Sequence, residues 1–434
     1  MSAVVDFPVQ HETSRTAAGF APPSGEPPWL TDARHAGLAQ FAKLGMPSRR
    51  SEAWRYIDLG GLDRFQPAAS RPAAAGAAAV GPLLDRMAVG EIGHRLVLVD
   101  GRFAPELSQI GAVEGVWFGP TAQAIRARPD LLRRGLRADT AFAALNAAFF
   151  ADGYVLEVGA GVRLESPIAV VHLASGEGDA AIHARHLVVL GAGSDVSLFE
   201  IYAGAGRYWR NDALDIRLGA GAQLDRICLV EEAADAVHLD DADAALAEGA
   251  RLANFALLLG GRTSRNEIRL RMEGEGAGCR LDGAFVISGR QQANIVTSVD
   301  HCAPKGETRE LVKGVAAGRA HGAFQGRIAV APGAQKVDAQ QTSRNLLLGD
   351  RAVIDAKPEL EIDADDVKCA HGATVGDLDE AALFYLRSRG IPAEEARRLL
   401  IDAFVREAVE RVEHAALRAH LLERLAVRLA GLEE

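Results

Sequence analysis

Cysteine is scarce in this sequence of 434 residues, which contains only four. Cys228, Cys279, Cys302 and Cys369 are far apart and form no C-x-x-C pair. The sequence therefore shows neither a zinc knuckle nor a disulfide framework. This usage fits a reducing compartment, and we expect the protein to be cytoplasmic.

Basic residues are fewer than acidic residues, and the apolar runs are short. Lys and Arg number 48 against 58 Asp and Glu, a formal net charge of -10, so we expect no nucleic-acid partner. The longest apolar runs fall short of the roughly 18 residues that a membrane span requires, so we expect no membrane contact. Residues 1–28 are polar and include acids, which fits neither a signal peptide nor a transit peptide, and we expect a disordered tail.

Nucleotide-binding motifs are missing too. The sequence has no G-x-x-x-x-G-K-[ST], and the glycines Gly274, Gly276 and Gly278 precede a predicted strand, whereas a dinucleotide fingerprint precedes a helix. We expect this chain to bind no nucleotide.

Residues 29–152 are predicted to form a helix-rich N-terminal domain. Thr31 can cap a helix that Gly45 ends, and helical spacing recurs over residues 138–151. Between them, the Ala-rich stretch from Pro67 to Gly81 is typical of a linker.

The middle of the chain repeats with a regular period. A turn of Gly, two residues and then Leu or Val begins at Gly193, Gly221, Gly249 and Gly278, spaced by 28, 28 and 29 residues. Each period holds two strand-like runs, which cannot bury both faces alone and must stack. An antiparallel sandwich would place its turns every 8–12 residues. The pattern predicts a mainly β fold, a flattened right-handed parallel β-helix of about 28 residues per coil, over residues 153–364.

The remainder, residues 365–434, is predicted to form a C-terminal helical domain. One helix begins near Asp377 and ends at Arg389 and Gly390, and a second begins at Pro392 with an apolar stripe along one side.

Two regions of the sequence carry extended motifs. The one near the N-terminus is Pro47-Ser-Arg-Arg-Ser-Glu-Ala-Trp-Arg-Tyr56. The other, toward the C-terminus, consists of Asn345-Leu-Leu-Leu-Gly-Asp350, Lys357-Pro-Glu-Leu-Glu-Ile362, Ala364-Asp-Asp-Val-Lys-Cys-Ala-His-Gly-Ala-Thr-Val-Gly376 and Leu383-Phe-Tyr-Leu-Arg-Ser-Arg-Gly-Ile391. These regions resemble the SufB/SufD family of iron-sulfur cluster assembly proteins, and the SufD branch in particular. Where SufB relatives carry a cysteine in a C-D-S-L-L-type sequence, this chain has Ser343 to Leu348.

The resemblance implies a β-helix flanked by helical parts and a non-catalytic scaffold subunit. Its partners would be a SufB-like paralogue, paired through the C-terminal end of the β-helix, and a SufC-like ATPase, bound by the C-terminal helices. A strand edge in the last coil, which we predict to contain Val337–Leu348 and Val353–Ile362, would make the first contact, and without SufB the same edge would give a homodimer.

Cys369 and His371 are the candidate cluster-binding residues. Residues i and i+2 of an extended segment point to the same side, so a thiolate and an imidazole could meet one iron. Two ligands make half a site, so we expect a transient iron-sulfur cluster shared with the partner and none held stably by the isolated chain. The resemblance implicates His371 as the metal ligand and supports Cys369 less strongly. The alternative is that Cys369 is a small core residue and that His371 packs at the domain junction.

Other candidates have simpler interpretations. His301 and Cys302 would point to opposite faces of a strand, Cys228 lies in an apolar run, and the acidic turn residues Asp240, Asp241 and Asp243 would be solvated. The rival functions are a β-helix carbohydrate-active enzyme, which the 6% aromatic content disfavours, and a purely structural homodimer.

Overall fold

The computed structural model describes residues 20, 22–67, 81, 83–84, 92–176 and 178–432. The predicted disordered tail, 1–28, and the predicted linker, 67–81, lie mostly outside the described residues.

The helices with defined bounds lie at the two ends of the chain. They are α1 (Pro28–Leu44), α2 (Thr121–Ala127), α3 (Pro129–Gly135), α4 (Ala141–Phe149), α5 (Glu380–Ser388), α6 (Ala393–Val409) and α7 (Ala415–Ala430). Gly45, with φ 73°, ends α1 as predicted, but the helix begins at Pro28, one turn before the predicted cap Thr31. Thr140 caps α4 by accepting a hydrogen bond from the Ala143 amide.

Strands make up most of the chain between these helices. They are β1 (Gln66–Pro67), β2 (His94–Val99), β3 (Arg102–Phe103), β4 (Val116–Pro120), β5 (Tyr154–Val158), β6 (Ile168–Ala174), β7 (Ala180–Leu190), β8 (Asp195–Gly204), β9 (Tyr208–Leu218), β10 (Gln223–Glu231), β11 (Val237–Leu246), β12 (Arg251–Leu258), β13 (Thr263–Met272), β14 (Gly278–Ile287), β15 (Gln292–His301), β16 (Glu307–Ala317), β17 (His321–Val330), β18 (Asp338–Leu348), β19 (Val353–Ile362) and β20 (Lys368–Gly376).

These strands form two facing sheets of a parallel β-solenoid. From β5 to β19 the odd-numbered strands stack in chain order in sheet 1, and from β6 to β20 the even-numbered strands stack in sheet 2. Each strand pairs in parallel with the strand two later, at about 29 residues per coil. The predicted parallel solenoid is therefore confirmed, and its right-handed crossover stays a prediction.

Glycine turns begin the coils because the backbone there enters the left-handed region. Gly193, Gly221 and Gly249 have φ between 63° and 68°, and each strand of sheet 2 begins two residues later. In the fourth repeat the left-handed residue is Gly276, with φ 68°, and Gly278 is the first residue of β14. The fourth turn was therefore predicted two residues too late.

The solenoid extends beyond the predicted boundary at residue 364. Its last strand is β20, so Cys369 and His371 belong to the solenoid and not to the helical part. Because β20 covers β18, the strands at the open end are β19 and β20. Of the two runs predicted for the last coil, Val353–Ile362 lies at the edge, whereas Val337–Leu348 does not.

The helices α6 and α7 pack on the outer face of sheet 2. Ile401, Val405, Leu421 and Leu425 share one buried cluster with strand residues such as Ile227. None of the helices in the described parts of the chain is both long and apolar enough to cross a membrane.

Candidate functional site

Of the two edge strands at the open end of the solenoid, β19 and β20, the second carries the candidate residues. The Lys368 amide donates to the Val337 carbonyl at 2.8 Å, and β20 stays in register with β18 up to Gly376. In a parallel pair alternate residues bond to the neighbour, so the odd-numbered residues of β20 direct their amides and carbonyls to the outer edge. Within the described residues no strand pairs with that edge.

Cys369 and His371 lie on the same side of β20, as predicted. Their register partners on β18 are Ala339 and Gln341, both buried in the solenoid interior. Cys369 is half-buried against the interior apolar cluster, as its core alternative suggested, and burial raises the pKa of its thiol. His371 is exposed, because no further coil covers it.

Two polar residues missed by the sequence analysis lie directly beneath His371. Gln341 Nε2 donates to Glu310 Oε2 at 2.8 Å, and the Thr297 hydroxyl donates to the same oxygen at 3.2 Å. Burial raises the pKa of Glu310 to about 7. Gln341 Oε1 has no hydrogen-bond partner within the described part of the chain. No motif marks these residues, since only the register brings Glu310, Gln341 and His371 into one column.

The two strands of the open end differ in their exposed edges. β19 carries Lys357, Pro358, Glu359 and Glu361, and Lys357 forms an ion pair with Glu52 at 2.5 Å. Charges and proline are the usual protection of a strand edge against pairing. β20 has no proline and no charged residue after Lys368, so it is the edge better suited to accept another strand.

The helix α5 exposes a patch of aromatic residues. The residues of α5 include none that is buried, and Phe384 and Tyr385 are 73% and 57% exposed. This patch lies outside the apolar stripe by which α6 and α7 attach to the solenoid. Exposed aromatic residues of this size are typical of interaction surfaces.

The structure agrees with the predictions for the other histidine and cysteine candidates. Cys228 is fully buried, His301 is buried with Nε2 2.9 Å from the Thr308 hydroxyl, and Cys302 is exposed. His301 and Cys302 therefore do not share a site.

The prediction of solvated acidic turn residues was wrong. Asp240, Asp241 and Asp243 are buried on β11, and each faces arginine residues of neighbouring strands or loops. Asp240 binds Arg226 at 2.9 Å, Asp241 binds Arg137 and Arg269 at 2.9 Å, and Asp243 binds Arg217 and Arg271 at 3.2 Å. Burial acts to raise the pKa of Asp241, but Arg137 and Arg269 lower it to about 2. The partners come from other strands or from a loop, so local sequence did not show them.

Comparisons with known proteins give one consistent result. A family model described as SUF system FeS cluster assembly, SufBD core domain, matches residues 172–404. The iron-sulfur cluster assembly protein SufD of Escherichia coli is 32% identical over 91% of this chain and 92% of its own length. A SufBD family protein of Synechocystis is 29% identical over 92% of this chain and 91% of its own. SufD of Bacillus subtilis is 29% identical over 73% of this chain and 74% of its own.

Proposed function

Because the chain belongs to the SufB/SufD family of iron-sulfur cluster assembly proteins, we propose that it is a non-catalytic scaffold subunit of the SufD type. It pairs with a SufB-like paralogue, binds a SufC-like ATPase and acts in the cytoplasm. The observation that supports this proposal most is the free edge of β20, which places His371 where a partner can reach it. Family membership favours this role over that of a carbohydrate-active enzyme.

The SufB-like partner adds a strand to β20. Strand addition uses the outward amides and carbonyls of the odd-numbered residues, so its affinity comes from the main chain. The protected edge of β19 directs the partner to β20. In isolation the same edge pairs with a second copy of this chain, which gives a homodimer.

Strand addition would also complete the cluster site. A ring N–H of His371 can donate to the unpartnered Gln341 Oε1 beneath it, which leaves the other ring nitrogen for the metal. Cys369 is the second candidate ligand, and its half-buried thiol must first lose its proton. The remaining ligands come from the partner, because iron-sulfur clusters need about four.

The SufC-like ATPase binds to the exposed aromatic patch on α5. Phe384 and Tyr385 have large apolar surfaces that the described residues of this chain do not cover. Aromatic anchors of this kind often dominate the binding energy of an interface. The ATPase contact is thus separate from the β20 edge, and the two can be tested independently.

Co-expression tests the proposal most directly. We would tag this chain, express it with the SufB-like and SufC-like proteins of the same organism under anaerobic conditions, and measure subunits, iron and sulfide after desalting. We expect a complex of all three proteins that holds a cluster, and little iron or sulfide on this chain expressed alone. A stoichiometric cluster on the isolated chain would refute the shared site, and purification without the ATPase would favour the purely structural homodimer.

A further inference from the structure

A group of buried polar side chains lies inside the first coils of the solenoid, away from the open end. His172 of β6, His186 of β7 and Asp212 of β9 are buried, and their side-chain nitrogen and oxygen ligand atoms lie within 4.8 Å of one another. We call these three residues the His–Asp cluster. His371 is on the last strand, β20, so the proposed scaffold function gives this cluster no role.

Aromatic stacking holds both imidazole rings of the cluster in place. His172 stacks on Tyr202, with ring centroids 4.2 Å apart, and His186 stacks on Tyr154 at 4.5 Å. Both tyrosine hydroxyls donate to Glu200 Oε1, that of Tyr154 at 2.9 Å and that of Tyr202 at 3.2 Å. The rings are therefore positioned before any ligand arrives.

Several polar atoms of the cluster lack the hydrogen bonds that buried groups normally make. Neither ring nitrogen of His172 has a hydrogen-bond partner within the described ranges, and the same holds for Asp212 Oδ1. The carboxylate oxygens closest to His172 are Asp212 Oδ2 at 3.6 Å and Glu200 Oε1 at 3.9 Å. Buried polar atoms without a hydrogen-bond partner are costly, so these atoms indicate an additional bound species.

The charges around the cluster point to a cation. Arg226 is bound to Glu200 and Asp240, and Arg210 is bound to Glu232. Asp212 forms no ion pair with an arginine within the described residues; its Oδ2 lies 3.4 Å from His186 Nε2 and 3.6 Å from His172 Nδ1. With all six groups ionised, four carboxylates face two guanidinium groups, a surplus of two negative charges. The six residues are Glu200, Asp212, Glu232, Asp240, Arg210 and Arg226.

We propose that His172, His186 and Asp212 bind one divalent transition-metal ion, zinc(II) or iron(II), inside the solenoid. Two imidazole nitrogens and one carboxylate oxygen form a donor set that both ions accept. Ligand atoms of a tetrahedral site with metal–ligand distances near 2.05 Å are roughly 3.3 Å apart. Asp212 Oδ2 lies 3.6 Å from His172 Nδ1 and 3.4 Å from His186 Nε2, so two of the three edges already have nearly this length.

The ion changes two existing hydrogen bonds of His186. The Tyr154 amide donates to His186 Nδ1 at 3.2 Å, which places the ring proton on Nε2, facing Asp212. When the ion binds Nε2, this proton moves to Nδ1 and the Tyr154 amide loses its acceptor. Two hydrogen bonds are lost, the Tyr154 amide to His186 Nδ1 and His186 Nε2–H to Asp212, whereas three metal–ligand bonds form and two surplus charges are neutralised.

The ion is structural, because its ligands are fully enclosed. Strands β6, β7 and β9 surround it, so it enters while the first two coils close and then links them. Metal binding of this kind contributes to folding.

Metal analysis of the full-length chain tests this site. The protein is grown with added Zn²⁺ and, separately, with Fe²⁺ under anaerobic conditions, then treated with EDTA and measured by mass spectrometry for metal per chain. We expect one ion per wild-type chain and about a tenfold or greater loss in Asp212→Asn and His172→Gln. The control variant His183→Gln lacks another buried histidine of β7, which contacts Asn211. We expect this variant to bind as much metal as the wild type. The double variant Cys369→Ala, His371→Ala also keeps it, which separates this site from the proposed cluster site.

Refolding the double variant Cys369→Ala, His371→Ala in Co²⁺ provides a spectroscopic readout of the interior site without the Cys369 thiol. We expect visible d–d absorption without thiolate charge transfer, since the ligands are nitrogen and oxygen. Wild-type protein that holds no metal after growth in either medium overturns the proposal. Equal metal content in wild type, Asp212→Asn and His172→Gln overturns it as well, and so does a Co²⁺ spectrum with thiolate bands.

Discussion

At the scale of single residues, Glu310 shows how a buried acid couples stability to pH. The hydrogen bonds that its carboxylate accepts come from the neutral side chains of Gln341 and Thr297. Burial raises its pKa from an ordinary 4.5 to about 7, so the folded protein keeps the proton where the unfolded chain has lost it.

This difference predicts a loss of stability as pH rises from 4.5 to about 7. In that window the folded state binds more protons than the unfolded state, so the free energy of unfolding falls, by about 3 kcal/mol in total. Glu310→Gln should remove this contribution, which urea unfolding at both ends of the window can measure. The exposed control Glu248→Gln should behave as wild type. Equal pH dependence in the two variants would contradict the prediction.

His371 is the residue on which the proposed chemistry depends most. Its side chain is exposed, so His371→Ala should leave folding and complex assembly intact. Loss of a ligand should lower cluster formation by about tenfold or more, measured as iron and sulfide per complex.

A surface histidine provides the control for this change. His35→Ala alters an exposed histidine of α1, far from β20 in the chain, and should form clusters normally. If His371→Ala reduces complex assembly and cluster yield in parallel, His371 has a packing role instead.

At the scale of elements, a single substitution can test whether the outer edge of β20 pairs with a partner strand. Ala373 is odd-numbered, so its amide points to the outer edge and makes no bond to β18. Ala373→Pro therefore removes an edge donor without breaking the ladder, and it should weaken pairing with the SufB-like protein. Ala373→Val keeps the donor and should pair normally. Unchanged affinity of the proline variant, measured by calorimetry, would place the interface elsewhere.

The helix α5 carries a second, separate prediction. Replacing Phe384 and Tyr385 together with Asp should abolish binding of the SufC-like ATPase, because both aromatic anchors are lost. Pairing through β20 should be unaffected. Val427→Asp changes an exposed apolar residue of α7, 56% accessible, and should bind the ATPase normally. A truncation could not separate these effects, since removing the chain after Ala364 also removes β20.

At the scale of the whole molecule, an open solenoid end predicts self-association. We expect the isolated chain to be a dimer by light scattering and the SufB-like partner to convert it to a heterodimer. The Ala373→Pro variant should be monomeric, and Ala373→Val dimeric. A wild type that is monomeric at all concentrations would show that β20 does not pair with itself.

Much of this architecture is encoded locally and could be predicted from the sequence. Three features follow from local backbone preferences and from the need to bury both faces of each strand. They are the repeat of about 28 residues, the glycine turns and the paired strand-like runs. The same holds for the end of α1 at Gly45, where a left-handed residue is required. Cys369 and His371 were also predicted to share a side, because strand alternation depends only on neighbouring residues.

The tertiary structure alone decided which residues meet across coils. Asp240, Asp241 and Asp243 gain their arginine partners from other strands or loops, and the column of Glu310, Gln341 and His371 exists only in the register of three stacked strands. His172, His186 and Asp212 come together for the same reason, from three strands that close around one interior. Local sequence contains the strand pattern, but these contacts join residues from different strands, and a one-residue change in register would turn each strand's side chains to the opposite face.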